Sequence, residues 1–498
     1  MRISGLASGM DIDKMVTELM KAKRASYDKM VQKRIAVEWA REDYRSLSTK
    51  IVDFRNNKLA TYSFSNAMQA KKAELTGDTN AIAVNSASPS AAGTLDVDVK
   101  EVAQSARTVL NYVKPAINPD NLPVSMQGAT LEKLGFQLDT DDNDKVAVVI
   151  NGKSVTIDKT ATISDLVTKI NSDKSLKVTA LTSGNTFSIT STQTGKSSVD
   201  LIAGFPSAFN IDADASTEGN DASVLVNGVE FTQASNQFSV NGFSFTAKVK
   251  TGTNGVSTIS AVTDTDKILS TIKSFVSDYN TLIGAINSEI SEERYRTYLP
   301  LTDEQKKELS DDEVKLWQDK ARSGSLRNDT ALSSYVSELR LATLPLISGI
   351  DTGKTDSSGN SIKQSIGITS GGYTEKGKLY LNEEALKKAL EADPEQVASL
   401  FTGSNSTGAI NKMMSSSMTI LKSLSDKAGT SMASTNENSS FLEDALMSEQ
   451  IRNMKTREKD MLANLSRAET NYYKVFTAME TAINKYNSQS SSLSSFMS

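Results

Sequence analysis

The chain has 498 residues, of which 38% are hydrophobic and 23% are charged, and its formal net charge is −5. This length is enough for roughly three or four domains, and the composition is that of a folded protein. The acidic balance argues against a nucleic-acid-binding protein, which would show a concentrated basic face. The sequence has no Cys and no His, which excludes disulfides, thiolate or imidazole metal sites and every mechanism that uses histidine as general base.

The sequence carries no obvious membrane or sorting signal. No window approaches the roughly 18 apolar residues that a membrane-spanning helix needs. Residues 1–13 lack the basic region and the continuous apolar run of a cleaved secretory signal. We therefore expect either a cytoplasmic protein or one exported by a machine that does not use a cleaved signal.

The first predicted element is a long helix from about Asp11 to Asn57. Asp11 suits the N-cap position, because its carboxylate can accept a hydrogen bond from an amide of the first turn. Apolar residues then recur at helical spacing, at Ile12, Met15, Val16, Leu19 and Met20. Further along they follow a heptad, at Val37, Ala40, Tyr44, Leu47, Ile51 and Phe54. A repeat of 3.5 residues predicts a coiled-coil segment.

A β-rich region follows, from about residue 77 to residue 262. It is rich in Ser, Thr, Val, Asn and Gly, and its apolar residues alternate in short runs. The Asn-Gly pairs at 151–152, 227–228 and 241–242 each stand between β-prone runs, the strongest local signal for a hairpin. We predict two small β-rich domains in this region.

One part of this region has a more specific pattern. Val146–Ile157 is predicted to be a hairpin and Ile163–Asn171 a short helix, and two further strands follow at Val178–Leu181 and Thr186–Thr190. The order β-β-α-β-β is typical of a small α+β domain inserted into the chain.

Helical periodicity returns at Ile268 and continues through an acidic segment, Asp303 to Lys320, and through Leu332 to Leu341. Two short apolar runs, Ile366–Ile368 and Lys378–Leu381, predict a hairpin beside these helices.

Two further signals precede the C-terminal segment. Asp393, Pro394 and Gln396 predict a capped helix start, with proline as its first residue. The stretch 402–440 is rich in Ser, Thr, Asn and Gly, so we predict a flexible connection there.

The C-terminal segment carries the longest apolar heptad of the chain. Its positions are Ile451, Met454, Glu458, Met461, Leu465, Ala468, Tyr472, Val475, Met479, Ala482 and Tyr486. Glu458 is the only polar residue among them. The repeat predicts a coiled coil rather than a helix buried on a globular core. Spacing leaves the partner open: the N-terminal segment, another copy of the chain, or a neighbouring protein.

Two partial motifs do not predict ligand sites. Residues 194–197 resemble the end of a phosphate-binding loop, but Thr190 stands where the pattern needs Gly, and no helix pattern follows. Asp139, Asp141 and Asn143 resemble the start of a calcium loop, but the required Gly and bidentate Glu are absent. We therefore expect no cofactor and no metal ion.

The predicted fold is a multidomain α+β chain, in which terminal α-helical coiled coils and a helical body enclose a β-rich head of two domains. The predicted domains are 1–36 (export and coil segment), 37–76 (N-terminal helix of a helical leg), 77–110 with 222–262 (β-rich head domain), 111–221 (inserted α+β head domain), 263–401 (helical leg domain with a β-hairpin), 402–440 (flexible connection) and 441–498 (C-terminal coiled coil).

The sequence resembles the flagellar hook-associated protein 2 family over its whole length, and the family's motifs occur in the same order. The opening motif is carried by Gly5, Leu6, Ser8, Gly9 and Asp11, with Met10 where Leu is more usual. The most specific block contains Tyr298, Pro300, Leu301, Trp317, Gly324 and Leu326. Later matches are Gly367-Ile368, Gly377 to Leu381 and Leu400-Phe401.

The resemblance implies a structural protein without catalytic residues, which caps the distal tip of the bacterial flagellar filament as a ring of identical copies. It implies export by the flagellar type III apparatus without a cleaved signal peptide. The implied partners are flagellin, the hook–filament junction protein and an export chaperone at the C-terminal coil, with no nucleic acid and no membrane insertion. We expect the connection 402–440 to let the legs of the ring take unequal positions. The alternatives are a surface adhesin that binds host glycans or mucin through the β head, a different axial protein of the flagellum, and an enzyme.

Overall fold

The computed structural model describes residues 11–115, 122–197, 199–403 and 407–496. The chain divides into two compact units. One, called here the helical unit, comprises Met1–Gln69 and Thr265–Ser498, and the other, the β unit, comprises Ala70–Asp264. The β-rich region is therefore inserted into a helical body, and the multidomain α+β prediction is confirmed.

The α-helices of the described residues are α1 (Ile12–Asp53), α2 (Ala60–Ser63), α3 (Ser65–Met68), α4 (Ile163–Ser172), α5 (Thr265–Ser291), α6 (Asp303–Lys307), α7 (Asp311–Arg322), α8 (Thr330–Ser348), α9 (Glu383–Ala392), α10 (Pro394–Thr402), α11 (Ala409–Ala428) and α12 (Leu446–Phe496). The two predicted caps are confirmed. Asp11 accepts a hydrogen bond from the Lys14 amide at 2.9 Å, and Asp393 accepts one from the Gln396 amide at 2.9 Å.

The strands are β1 (Lys71–Gly77), β2 (Ile82–Ala87), β3 (Thr94–Glu101), β4 (Ser105–Tyr112), β5 (Lys145–Ile150), β6 (Lys153–Asp158), β7 (Val178–Ser183), β8 (Thr186–Thr194), β9 (Leu201–Ala203), β10 (Phe209–Ile211), β11 (Ala222–Val226), β12 (Val229–Gln233), β13 (Gln237–Val240), β14 (Phe243–Ala247), β15 (Ser257–Thr263), β16 (Ile350–Thr355), β17 (Ser361–Gln364), β18 (Ile368–Ser370) and β19 (Leu379–Leu381). The last two pair with each other, which confirms the hairpin predicted in the helical body.

The β unit contains two hydrophobic cores. The first lies between the sheet β1-β15-β3-β11-β12 and the sheet β13-β14-β2, and it buries Phe238, Phe243 and Phe245. The second combines the sheets β10-β4-β8-β7 and β6-β5-β9 with α4, and it buries Leu166 and Phe187. The order β5-β6-α4-β7-β8 confirms the β-β-α-β-β prediction.

The three predicted Asn-Gly hairpins are also confirmed. They join β5 to β6, β11 to β12 and β13 to β14. Asn151, Asn227 and Asn241 have φ of 48°, 49° and 48°, and the glycine that follows each also has a positive φ. Both central residues with φ above zero define the turn type whose twist matches a two-residue hairpin.

Five predicted domain boundaries fall inside elements, at 36–37 in α1, 76–77 in β1, 110–111 in β4, 262–263 in β15 and 401–402 in α10. The predicted N-terminal leg helix ran to residue 76, whereas the chain forms β1 from Lys71 and this strand pairs with β15. The predicted boundary at residue 110 falls inside β4, which runs through to Tyr112. Alternation over such short strands does not show which sheet a strand joins.

The prediction of a flexible connection at 402–440 is wrong. Half of this stretch is α11, whose face buries Ile410, Met413, Leu421 and Leu424. The residues that follow α11 are fixed to α1, since Arg45 donates a hydrogen bond to the Ser439 carbonyl at 3.2 Å. The Ser-rich composition hides an apolar stripe at helical spacing, which is sufficient to hold a helix on a core.

Candidate assembly surface on the terminal helices

The helices α1 and α12 lie side by side and run antiparallel. Arg34 contacts Glu458, whereas Arg41, which lies closer to the C-terminal end of α1, contacts Ser448, which lies closer to the N-terminal end of α12. At 1.5 Å per residue, the two helices are about 63 Å and about 76 Å long. Of the partners that the heptad left open, the N-terminal segment is therefore one that this C-terminal helix contacts.

A small apolar cluster holds the outer part of this pair together. Ile12, Val16 and Met20 of α1 are buried, with exposures of 2%, 1% and 8%. The residues of α12 that pack against them are Leu465, Ala468, Tyr472, Tyr473 and Phe476. The first three belong to the predicted heptad. Tyr473 and Phe476 were missed, because a straight helix repeats every 3.6 residues and the contact face drifts away from a 3.5-residue pattern.

The predicted heptad in α1 lies at the opposite end of the pair, where α1 also contacts α5 and α11. Tyr44, Leu47, Ile51 and Phe54 are buried, with exposures between 0% and 4%. Val37 and Ala40 are half-buried. Here α1 is part of the core of the helical unit, so this stripe is not a free coiled-coil seam.

The predicted heptad of α12 changes environment along its length. Ile451 and Met454 are buried, and Met461 is half-buried. Val475, Met479 and Tyr486 are exposed by 61%, 36% and 71%, and Leu493 beyond them by 67%. Val475 immediately precedes Phe476, which packs against the cluster of Ile12, Val16 and Met20, and the other three residues follow it. We call these four residues the exposed stripe.

Glu458, the polar residue of the heptad, is neutralised across the pair. Arg34 Nε donates to both of its carboxylate oxygens, at 2.8 and 3.0 Å. Arg34 also binds Glu38 at 2.6 Å, and Lys455 lies 3.3 Å from Glu38. The side chains of Arg34 and Glu458 are only 19% and 12% exposed. A charge pair that is largely withdrawn from water has one favourable alignment, so it defines the register of the two helices.

A second polar network joins α1 to α11 and to the start of α8. Tyr44 donates a hydrogen bond to Asp329 at 2.6 Å, and Lys427 donates to the same carboxylate at 2.8 Å. Burial raises the pKa of Tyr44, and the hydrogen bond to Asp329 raises it further. Burial alone would raise the pKa of Asp329, but hydrogen bonds from Lys427, Tyr44 and the Leu332 amide outweigh it and hold that pKa below its ordinary value.

The family block from Tyr298 to Leu326 folds back on itself into a compact segment, called here the family bracket. The rings of Tyr298 and Trp317 lie 4.8 Å apart, and Trp317 Nε1 donates a hydrogen bond to the Leu299 carbonyl at 2.8 Å. Pro300, Leu301 and Leu326 are buried. Trp317 is therefore a structural residue that fixes the loop before α6 onto α7.

Gly324 closes this bracket. Its φ is +68°, and a Cβ atom there would lie 2.8 Å from the Cβ of Arg294. Beside it, Ser325 and Arg322 both donate hydrogen bonds to Asp43 of α1 at 2.5 Å. The block thus ties the end of α5 and the start of α8 to α1.

The predicted opening motif is only partly described. Gly5, Leu6, Ser8 and Gly9 lie outside the described residues, and Asp11 is the N-cap of α1. Across the ranges that the structure covers, no cluster of acidic residues has the arrangement to hold a metal ion. Within those same ranges no helix has the length and apolar character to cross a membrane.

Two long antiparallel helices, a polar register pair and an exposed apolar end are the features of a structural assembly protein. Residues 219–488 match the flagellar hook-associated protein 2 C-terminus and residues 8–106 match the corresponding N-terminus. The chain belongs to the flagellar hook-associated protein 2 family, a family of structural proteins of the flagellum.

One relative matches over the whole chain, and others match over part of it. The flagellar hook-associated protein 2 of Halalkalibacterium halodurans is 27% identical, and the alignment covers 100% of this chain and 99% of the relative. That of Thermotoga maritima is 28% identical over 52% of this chain and 41% of its own length. Among solved structures, the D1-D2-D3 domains of the flagellar cap protein of Escherichia coli are 19% identical, with a TM-score of 0.45 over 83% of this chain and 99% of that one.

Proposed function

We propose that this protein caps the distal tip of the flagellar filament as a ring of its own copies. There it retains exported flagellin and promotes its folding and insertion into the filament. The observation that carries this proposal is the α1–α12 pair, whose apolar face continues onto an exposed stripe. Such a surface suits a protein that packs against other helices. Family membership supports the same role, and the comparisons give no support to the alternative of a surface adhesin.

The helical unit performs this task without chemistry. Flagellin that arrives unfolded gains free energy when it orders and buries its apolar surface. The cap has only to keep the subunit at the filament end until that burial is complete. No cofactor and no catalytic group is required.

A closed ring on a helical filament meets sites that are not identical, so its subunits must adapt. With 402–440 ordered around α11, we assign this adaptation to the outer part of the helix pair, from Ile12 to Lys33 and from Glu458 to Phe496, called here the arm. The arm has its own apolar cluster. It contacts α6 through polar groups, with Arg24 2.6 Å from Glu304 and Gln32 3.3 Å from Gln305. The side chains of Arg24 and Glu304 are 35% and 54% exposed, and an ion pair this accessible to water is weak and can be remade at little cost.

The exposed stripe is also the surface that we assign to two transient partners. An export chaperone that covers Val475, Met479 and Tyr486 would prevent premature association of exposed apolar surface. The hook–filament junction protein would then contact the exposed stripe of α12 before flagellin does. Export through the flagellar type III apparatus without a cleaved signal peptide belongs to this proposal.

The test is deletion of the gene in its own host, with measurement of attached filaments and of flagellin in the medium. Hooks without filaments, together with shed monomeric flagellin, are expected. Complementation with a chain that ends after Phe476 should not restore filaments, whereas the full chain should. Normal filaments combined with lost surface attachment would contradict capping and support an adhesin.

A further inference from the structure

Asparagine followed by glycine occurs four times in the chain, at Asn151, Asn227, Asn241 and Asn254, and all four pairs lie in the β unit. In such a pair the glycine amide nitrogen can approach the side-chain carbonyl carbon of asparagine, because glycine offers no steric barrier. All four asparagines are exposed. What differs among them is whether the side-chain amide is already held.

Two of the four side chains are held at both ends. Asn151 donates a hydrogen bond to the Leu176 carbonyl at 3.2 Å and accepts one from the Asp200 amide at 3.1 Å. Asn227 accepts one from the Asp96 amide at 2.8 Å and donates to the Thr94 carbonyl at 3.4 Å. Rotating either side chain toward the following glycine would break two hydrogen bonds.

The other two side chains have no such restraint. Within the described part of the chain, neither Asn241 nor Asn254 makes a side-chain hydrogen bond. Asn241 occupies the turn between β13 and β14. Asn254 lies at the tip of the loop between β14 and β15, and the Cβ position of the adjacent Gly255 faces open space.

We propose that Asn241 and Asn254 are sites of spontaneous deamidation, with water as the co-reactant, and that Asn151 and Asn227 are protected. The glycine nitrogen forms a bond to Cγ of asparagine, and the bond from Cγ to Nδ2 breaks. Ammonia leaves and carries away the proton of the glycine amide, which leaves a cyclic succinimide. Water then opens this ring at one of its two carbonyl carbons, giving aspartate or isoaspartate.

The two sites differ in consequence. Conversion of Asn254 to aspartate adds one negative charge to a loop tip. Isoaspartate at Asn241 adds a backbone methylene to a tight hairpin, where the Ser88 amide donates to the Gly242 carbonyl at 2.7 Å and Phe243 is fully buried. Ageing of the protein at Asn241 therefore loosens one of the cores of the β unit, whereas the same chemistry at Asn254 changes the charge and backbone of an exposed loop tip and leaves both cores packed.

The experiment is incubation of the full-length protein in mildly alkaline buffer, followed by peptide mapping that separates asparagine, aspartate and isoaspartate at each site. In the folded protein, Asn241 and Asn254 should convert at least about tenfold faster than Asn151 and Asn227, because the latter must break hydrogen bonds first. In denaturant the four sites should convert at similar rates, which shows that the fold causes the difference.

A folded protein in which Asn151 or Asn227 converts as fast as the other two would overturn the proposal, as would equal protection of all four. The variant Asn241→Gly keeps a Gly-Gly turn that suits this hairpin and removes the reacting amide. Its unfolding midpoint should stay constant during incubation while that of the unmodified chain falls. If both fall equally, Asn241 is not the site at which ageing loosens the core.

Discussion

Glu458 interrupts an apolar heptad, and Arg34 supplies the opposite charge across the helix pair at 2.8 Å. Replacement of Glu458 by Ala leaves the Arg34 guanidinium largely buried and without this partner. We expect a loss of about 1–3 kcal/mol in the free energy of unfolding of the helical unit, since hydrogen bonds to charged groups contribute in this range. Urea unfolding followed by circular dichroism measures it.

The control for this variant is Lys455→Ala, because Lys455 is 60% exposed and its pairing with Glu38 is screened by water. Its unfolding midpoint should match that of the unmodified chain. The double variant Arg34→Met with Glu458→Leu should be less destabilised than Glu458→Ala, since both charges are then removed together. An unchanged midpoint for Glu458→Ala would show that the pair has no energetic role.

The lowered pKa of Asp329 predicts how the stability of the helical unit changes with acid. The pKa of this carboxylate is lowered in the folded state, so its contribution to stability is complete above its unfolded pKa of about 4 and is lost as the pH falls below that value. The variant Asp329→Asn should therefore be less stable than the unmodified chain at neutral pH. Below about pH 4 the two stabilities should converge.

Urea midpoints across this pH range measure the effect. Asp303→Asn is the matched control, because the Asp303 side chain is 87% exposed and its pair with Lys306 is solvated. Parallel pH profiles for Asp329→Asn and the unmodified chain would contradict the assignment of the acid response to Asp329.

At the scale of the element, α12 has two halves with different roles. Leu465→Asp places a charge in the cluster of Ile12, Val16 and Met20, and it should separate the arm helices. Val475→Asp changes a side chain that is 61% exposed, so the fold should persist while capping is lost. Hydrogen exchange of α1 and the count of attached filaments distinguish the two variants.

The family bracket provides a second prediction for an element. Gly324→Ala requires a left-handed conformation and brings its Cβ within 2.8 Å of the Cβ of Arg294. We expect it to destabilise the helical unit by about 1–3 kcal/mol. Gly284→Ala is the control, since Gly284 lies within α5 and its Cβ position faces open space. That change should be neutral or stabilising by up to about 1 kcal/mol, and equal effects of the two substitutions on thermal unfolding would rule out strain at Gly324.

At the scale of the whole molecule, the contact between the arm and α6 limits the directions that the arm can take. Glu304→Gln removes the ionic partner of Arg24. We expect the distribution of distances between spin labels on the arm and on α8 to broaden. Glu308→Gln, at the end of the same short helix, should leave the distribution unchanged. A distribution for Glu304→Gln as narrow as that of the unmodified chain would place the adaptation of the ring elsewhere.

Much of the fold follows from local sequence patterns, because hairpins and helix starts are decided by residues that are neighbours in the chain. Asn-Gly pairs define their hairpins because both residues tolerate positive φ. Asp11 and Asp393 begin helices because a carboxylate satisfies amides that have no partner within the helix. The exclusion of histidine and thiol chemistry required only the composition. Family motifs such as Tyr298 and Trp317 identified the family before any contact was known.

Other features depend on contacts between residues far apart in the chain. The sequence by itself determined the two helical stripes, the β-rich insertion and the family. Only the tertiary structure decided that Glu458 is paired with Arg34 and that Tyr44 belongs to the core of the helical unit. It also decided that 402–440 contains a packed helix, and that Phe476 rather than Val475 lies on the face of α12 that contacts α1. The physical reason is that periodicity reports which residues share a face of a helix, whereas the partner of that face depends on residues up to several hundred positions away.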